Sequence, residues 1–243
     1  MQENQKKRVS LYDDGIGFVE LVYSVGSDLS VVNSARVSFG KHKEELDAKD
    51  EKLIRYLINH RHTSTLEHCF VTFRVKVPLF VRSQHHRHRT WSYNEISRRY
   101  TEFDICFYEP KAFRTQHKSN RQASNPEGLI NPVLSCGSDC DEMMRLHHQM
   151  SLDLFNRMIE AGVCREQARG VLPQNMYTEY YASCSLHNAL HFCRLRLHEG
   201  AQWEIQRVAS AMIEILKTLY PVTIEAWIDN LEDEDLKKKF LNS

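Results

Sequence analysis

Residues 84–100 read Gln-His-His-Arg-His-Arg-Thr-Trp-Ser-Tyr-Asn-Glu-Ile-Ser-Arg-Arg-Tyr. Arg87, Arg89, Arg98 and Arg99, with Arg82 just upstream, share this stretch with His85, His86 and His88 and with Ser92, Asn94, Glu95 and Ser97. A guanidinium is planar, permanently charged and carries its donors in a rigid fork, which suits it to bidentate contact with phosphate or a base edge. Several such forks at one place ask for a polyanion. Asn94 and Glu95 can hold the guanidinium groups or accept from a ligand's N–H or hydroxyl, and Ser97 adds a small hydroxyl. The plain alternative is a solvated basic face. Aromatic residues interleaved with the charges and a single carboxylate favour a nucleotide or phosphate site instead.

The elements that must position this cluster are legible on either side of it. Val71, Phe73, Val75 and Val77 alternate with Thr72, Arg74 and Lys76, the period-two pattern of a half-buried strand. Pro78 suits a first helical turn, and Leu79, Phe80 and Val81 open a helix expected to run to about Arg87. On it Gln84 and His88 share a face one turn apart, with Arg87 beside Gln84. Trp91 to Asn94 have weak helix propensity, so Asn94 and Glu95 are expected in a loop.

Arg87-His88-Arg89, Ser92, Asn94-Glu95, Ser97 and Arg99 reproduce the pattern R-H-R-x-x-S-x-N-E-x-S-x-R. On those residues the chain resembles the flavin-dependent thymidylate synthases, a family unrelated to the cysteine-dependent enzyme of the same name. His62, Ser64, Glu67 and His68 match the family's H-x-[ST]-x-x-E-H segment, which implies His62 and Ser64 at the flavin, with Glu67 and His68 organising the loop. Arg165 to Pro173 match R-E-x-x-R-x-x-L-P and imply that Arg169 binds the substrate's phosphate or base. Leu195-Arg196 followed by Ala201-Gln202-Trp203-Glu204-Ile205 is a further match, placing Arg196 at the uracil ring. The resemblance runs, with gaps, from about Asp28 to about Tyr220.

Residue by residue, it implies FAD contacts from His62, Ser64, Arg87, His88, Arg89, Glu95, Ser185, His187 and His191. It implies dUMP contacts from Gln84, Arg87, Glu95, Ser97, Arg98, Arg99, Arg169 and Arg196. The chain departs from the family's pattern at the helix opened by Ser185, where members carry N-x-R and this sequence has Ser185 and His187. Arg98 stands where some members have glycine, Gly200 where some have histidine, and His191 where Asn or His is usual.

The implied reaction is reductive methylation of dUMP to dTMP, with methylene-tetrahydrofolate donating carbon and FAD reduced by NADPH. Making C5 of uracil nucleophilic needs either an attack at C6 or polarisation of the N3–C4–O4 system. The cysteine-dependent enzymes take the first route with a Pro-Cys-His segment, and no Pro-Cys pair occurs here. A desolvated guanidinium at N3 and O4 serves the second route, so Arg196 is the candidate catalytic residue. Ser97, whose hydroxyl is far too weak an acid to act as a free alkoxide, is assigned to substrate binding. No side chain supplies the reducing electrons; a flavin does. The absence of G-x-G-x-x-G argues against a Rossmann-type flavin domain. The resemblance implies an α+β fold instead, a twisted, largely antiparallel sheet flanked by helices, in a homotetramer whose active sites are shared between subunits.

Composition bounds these readings. The 243 residues carry 32 basic and 32 acidic side chains, a formal net charge of zero. Such neutrality argues against a protein that coats nucleic acid and makes the local basic cluster more telling. The alternative is an RNA- or nucleotide-binding module without catalysis, with Arg87, Arg89 and Arg99 on phosphates and Trp91, Tyr93 and Tyr100 stacking. It leaves the Arg196 segment unexplained. The seven cysteines lack a short repeated spacing and suit reduced thiols in a cytoplasm. The amino end, Met1 to Arg8, has no apolar core after it and is not expected to be a secretory signal. His60, His62, Glu67 and His68 match no strong zinc pattern, so no metal is expected.

The chain is expected to form one domain over residues 1–243. Val19, Leu21, Val22 and Tyr23 read as a first strand, Asp28 as the start of a capped short helix, and residues 44–59 as a surface helix. Phe103, Ile105 and Phe107 read as a short strand, and residues 111–138 as a polar loop or insertion. Residues 139–161 form a long helix whose Met143, His147, Met150, Leu154 and Met158 stripe reads as core or subunit contact, with Gly162 as its stop. Residues 176–183 read as a strand. Ser185 caps a helix with Leu186, Ala189, Leu190 and Cys193 inward. A last long helix extends through Tyr220.

Overall fold

A computed structural model describes residues 7–241. Residues 1–6, most of the stretch expected not to be a secretory signal, lie outside them. Along the chain the elements are β1 (Arg8–Ser10), β2 (Phe18–Val25), α1 (Asp28–Arg36), α2 (Ala48–Asn59), β3 (Phe70–Pro78), α3 (Leu79–His85), β4 (Ser92–Glu95), β5 (Phe113–Gln116) and β6 (Ser124–Ile130). They continue as α4 (Cys140–Glu160), α5 (Arg165–Ala168), β7 (Tyr177–Ser185), α6 (Leu186–Leu197), α7 (Trp203–Leu219), α8 (Pro221–Asp229) and α9 (Glu234–Leu241). Five strands hydrogen-bond in the order β1-β2-β3-β7-β4, and β5 with β6 forms a separate ribbon. β1 runs antiparallel to β2, and β5 to β6. The architecture is α+β with antiparallel sheets flanked by helices.

The chain divides into two compact units that interleave in sequence: Met1–Val75, His88–Tyr93 and Tyr181–Ser243 in the first, Lys76–Arg87 and Asn94–Tyr180 in the second. The first holds α1, α2 and α6 to α9. Val19, Val31, Ile54, Phe73, Phe192, Ile205, Met212 and Ile224 are fully buried in it. Asp28 does more there than begin α1. Ser27 is the N-cap of α1, while the buried Asp28 carboxylate accepts from the N–H groups of Val222 and Thr223 and from the Thr223 hydroxyl, capping α8 at a sequence distance of almost two hundred residues. The second unit packs around Phe155, Ala168, Leu172 and Met176, with Leu79, Ile105 and Phe107 against them.

Several expectations are corrected. α2 begins at Ala48 rather than residue 44, because Asp47 accepts from the N–H groups of Lys49 and Asp50 and takes the N-cap. β1 precedes the strand expected to be first, and the short helices α8 and α9 follow the last long helix. Asn94 and Glu95 lie in β4, not a loop, since Tyr93 and its neighbours suit a strand. The Phe103–Phe107 alternation gives only an isolated bridge from Phe107 to Met176. The polar stretch 111–138 contains the β5–β6 hairpin, with a register shift between Arg114 and Thr115. On α4 the buried face is His148, Ser151 and Phe155, whereas Met150 and Leu154 are 62% and 48% exposed. Several members of the methionine stripe thus point away from the core of this unit.

Candidate active site

In the first unit the site is built where α2 ends. His60 caps the helix, the Arg61 N–H donates to the Ile58 carbonyl, and the His62 N–H reaches back to the Leu57 carbonyl at 2.9 Å. This is a Schellman stop, and Arg61 sits at its left-handed position with φ +56°. The reversal delivers His62 and Thr63 to a 3-10 turn over Thr63–Leu66. Tyr56, His60 and His62 stack as a short row of rings, Tyr56 to His60 at 4.1 Å between centroids.

Facing this turn is α6, which starts at Leu186 because Ser185 caps it, its hydroxyl accepting from the Asn188 N–H. Leu186, Ala189, Leu190, Phe192, Cys193 and Leu197 are buried. His187, His191 and Arg194, spaced four and three residues apart, therefore fall on another face together. With Arg61, His62 and Thr63 they line a cavity of about 180 Å³, whose apolar wall includes Leu57, Leu66, Leu190 and Trp227. His62, His187 and His191 are thus brought together. Ser64 is exposed in the 3-10 turn and is not among the lining side chains, and Ser185 is buried with its hydroxyl engaged.

Arg196 lies in the last turn of α6, where the helix dipole favours a cation. Its Nε donates to Nε2 of His88 at 3.0 Å. His88 is 8% exposed, and its ring meets Phe192 edge-on at 4.9 Å and His191 at 6.3 Å. The Tyr93 hydroxyl donates to the His88 carbonyl. Burial, with the positive charge of Arg196 and the neighbouring His191, pushes the His88 imidazole down to about 4. At neutral pH His88 is therefore uncharged, with its proton on Nδ1 and Nε2 as the acceptor for Arg196. Burial also lowers Arg196, without bringing a guanidinium near neutrality. His88 is not on the face of α3 with Gln84, as the spacing suggested: that helix ends at His85 and is capped by His86. Arg89 is exposed in the same unit.

The second unit holds Gln84 in the last turn of α3 and Arg87 just beyond its cap, so the helix stops short of the expected end at Arg87; Arg87 is exposed and Gln84 partly so. One oxygen of Glu95 accepts from Arg82 Nε at 3.0 Å and from the Thr178 hydroxyl at 2.6 Å, so this carboxylate is held from two sides. The Ser97 hydroxyl accepts from the Arg99 N–H, and Arg99 pairs with Glu166 at 3.3 Å. Arg169 is exposed where α5 passes into a 3-10 turn. Arg98 differs from its neighbours: it is 7% exposed and donates to the carbonyls of Phe103 and Asp104. Its fork closes its own loop.

Three of the seven cysteines are buried. Burial pushes Cys69 up to about 11 and raises Cys184 and Cys193 still further, so these thiols stay protonated. Among the described residues no group of three His, Cys, Asp or Glu is arranged to hold a metal, and no helix is long and apolar enough to cross a membrane. Sequence reasoning missed Arg61 and Arg194 as cavity residues. A helical wheel drawn from His187 would have found Arg194 seven positions on. The Arg196 partner of His88 was likewise not read from the sequence.

The family described as "Thymidylate synthase complementing protein" matches residues 20–222. A flavin-dependent thymidylate synthase of Thermus thermophilus is 44% identical over 215 residues, which cover 88% of this chain and 77% of the relative. One from Kosmotoga olearia is 39% identical over 230 residues, covering 91% and 94% of the two chains. Among solved structures, a UMP/dUMP methylase, PolB from Streptomyces cacaoi, bound with 5-Br dUMP, superposes with a TM-score of 0.76 at 34% identity, covering 91% of this chain and 97% of that one.

Proposed function

Because the chain belongs to the family of flavin-dependent thymidylate synthases, we propose that it converts dUMP to dTMP by reductive methylation at C5. Methylene-tetrahydrofolate is the carbon donor and FAD, reduced by NADPH, the cofactor. The observation that carries this reading is Arg196, whose Nε–H rests on a buried neutral imidazole. That partner fixes the guanidinium without neutralising its charge.

Arg196 is the catalytic residue of this reading. Set against N3 and O4 of the uracil ring, it stabilises the negative charge that develops on the N3–C4–O4 system as C5 becomes the nucleophile. Partial burial strengthens the interaction relative to water. Arg87, Arg99 and Arg169 supply forks for the dUMP phosphate, and Gln84 and Ser97 supply hydrogen bonds to the nucleotide. Glu95, anchored by Arg82 and Thr178, is oriented to accept from it. Arg98 is assigned to bracing the loop after Ser97 rather than to touching dUMP, because its fork is on two backbone carbonyls.

The cavity between the end of α2 and α6 suits a flavin nucleotide by its donor set, with an apolar wall for a ring and imidazole and guanidinium groups for phosphate. His62, His187 and His191 would hold it there. Ser64, Arg87, His88, Arg89 and Glu95 are carried as further flavin contacts on the family's pattern. Ser185 acts through the helix it caps. When bound, the flavin supplies the electrons that turn methylene into methyl. At about 180 Å³ the cavity is smaller than a usual cofactor pocket, which supports a site completed by a second subunit. On α4, Leu146, Met150 and Leu154 recur every four residues and are 50%, 62% and 48% exposed, an apolar row available for such a contact. The reading is of a cytoplasmic homotetramer acting on small molecules, with no nucleic-acid or membrane partner.

The test is an absorbance spectrum of the purified protein, then anaerobic addition of NADPH with and without dUMP. A flavin spectrum that bleaches, followed by dTMP formation once methylene-tetrahydrofolate is added, is the expected result. A protein that stays colourless after incubation with FAD overturns the reading.

A further inference from the structure

We infer that Arg61 and Arg194 form a two-guanidinium clamp for a diphosphate, the group that joins the two halves of a dinucleotide cofactor; this rests on the flavin reading above. Arg61 stands where backbone geometry favours glycine. The Schellman stop of α2 requires a left-handed residue after the cap, and Arg61 adopts it with φ +56°. A β-carbon there is disfavoured relative to glycine. A long cationic side chain at such a position points to a use for its charge.

The use is visible in what Arg61 borders. Arg61 and Arg194 both line the 180 Å³ cavity that holds His62, His187 and His191, and both also line a neighbouring cavity of about 440 Å³. Ile58 is the third residue common to the two. The guanidinium groups thus mark the boundary between two compartments, and among the described residues neither makes an ion pair. Permanent charges of one sign, on two elements and over an apolar floor, call for an anion shared between them.

The larger compartment carries Asn59, Asn230, Glu232 and Asp233 beyond the arginines. Asn59 and Asn230 bond to each other and one oxygen of Asp233 takes two backbone N–H groups, so Glu199, Glu232 and the second Asp233 oxygen are the acceptors left for ribose hydroxyls or an exocyclic amine, and they repel further negative charge. The arrangement therefore matches a ligand with its anionic group in the middle and neutral polar groups at one end. It also answers the chain's departure from the family pattern: His187 brings an imidazole where members carry arginine, and α6 supplies a guanidinium seven residues later, at Arg194 on the same face.

The test uses the full-length protein freed of flavin, with binding followed by flavin fluorescence and by calorimetry. Arg61→Gly suits it because glycine relieves the left-handed position, so its thermal midpoint should equal or exceed that of the wild type. Arg61→Gly and Arg194→Gln should each weaken FAD binding about tenfold and leave riboflavin, which has no phosphate, unchanged. ADP should bind the wild-type protein and bind each variant correspondingly more weakly. FAD and ADP affinities in both variants equal to the wild type overturn the clamp, as does an equal loss for riboflavin. If the wild type binds ADP through both arginines but takes no flavin, the clamp stands and the flavin reading falls.

Discussion

Arg196 and His88 show how one side chain sets the chemistry of another. His88 is buried against Phe192, and Arg196, His191 and the Tyr93 hydroxyl are among the ionisable groups around it. A neutral imidazole can accept the Arg196 Nε–H; a protonated one cannot, and it would repel the guanidinium. Replacing Arg196 by Ala should lower turnover about 10²- to 10³-fold while the bound flavin keeps its absorbance, measured as dTMP formed per flavin. Wild-type turnover in that variant would remove Arg196 from the mechanism. The same pair predicts a pH dependence of stability. His88 titrates at about 4 in the folded protein and near 6.5 unfolded, so between those values the unfolded chain binds more protons. The stabilisation is complete above about pH 6.5 and is lost as pH falls toward 4, on the order of 3 kcal/mol in full and about 2 kcal/mol of it by pH 5. Urea unfolding at pH 7 and pH 5 measures it, and the difference should shrink in His88→Asn.

Among the elements, two junctions carry the first unit's site. α6 begins at the buried Ser185 and projects His187, His191 and Arg194 from one face while Arg196 lies in its last turn. α2 is stopped by its Schellman turn, and α8 lies against it and supplies Trp227 to the cavity wall. The start of α8 depends on Asp28, whose carboxylate takes two backbone N–H groups and one hydroxyl. Asp28→Ala leaves those donors buried without it and should cost about 2–3 kcal/mol of stability, read from urea or thermal unfolding. An Asp28→Ala protein as stable as the wild type would mean that α8 is held by its apolar face alone.

For the whole molecule, the testable feature is assembly. If the exposed α4 row is a subunit contact, Met150→Glu should shift sedimentation toward smaller species, because a carboxylate would be desolvated in an apolar interface. If active sites are shared, mixing inactive Arg87→Ala with inactive Arg196→Ala should restore part of the activity after subunit exchange. No recovery from a mixture shown to exchange subunits would mean that each chain builds its own site. The balance of 32 basic and 32 acidic residues leaves attraction of anions to local clusters rather than to net charge.

Sequence alone determined what depends on residue type and short spacing. The alternation at Val71 to Val77, the cap at Ser185 and the glycine stop of α4 are local, so they could be read without a fold. The motif around Arg87, with the Arg196 segment, sufficed for the family because its side-chain chemistry is carried at fixed intervals. What the tertiary structure decided depends on partners remote in the chain. Arg98 reads like its neighbours until its fork is found on its own loop's carbonyls. Asp28 reads as a local cap until α8 arrives to be capped. Arg61 reads as one more charge in a histidine-rich loop until its backbone proves left-handed and Arg194 proves to border the same two cavities. His88 and Arg196 stand 108 positions apart with no periodic signal that joins them; packing brings their nitrogens to 3.0 Å, and only then does a neutral imidazole beside a guanidinium acquire a chemical meaning.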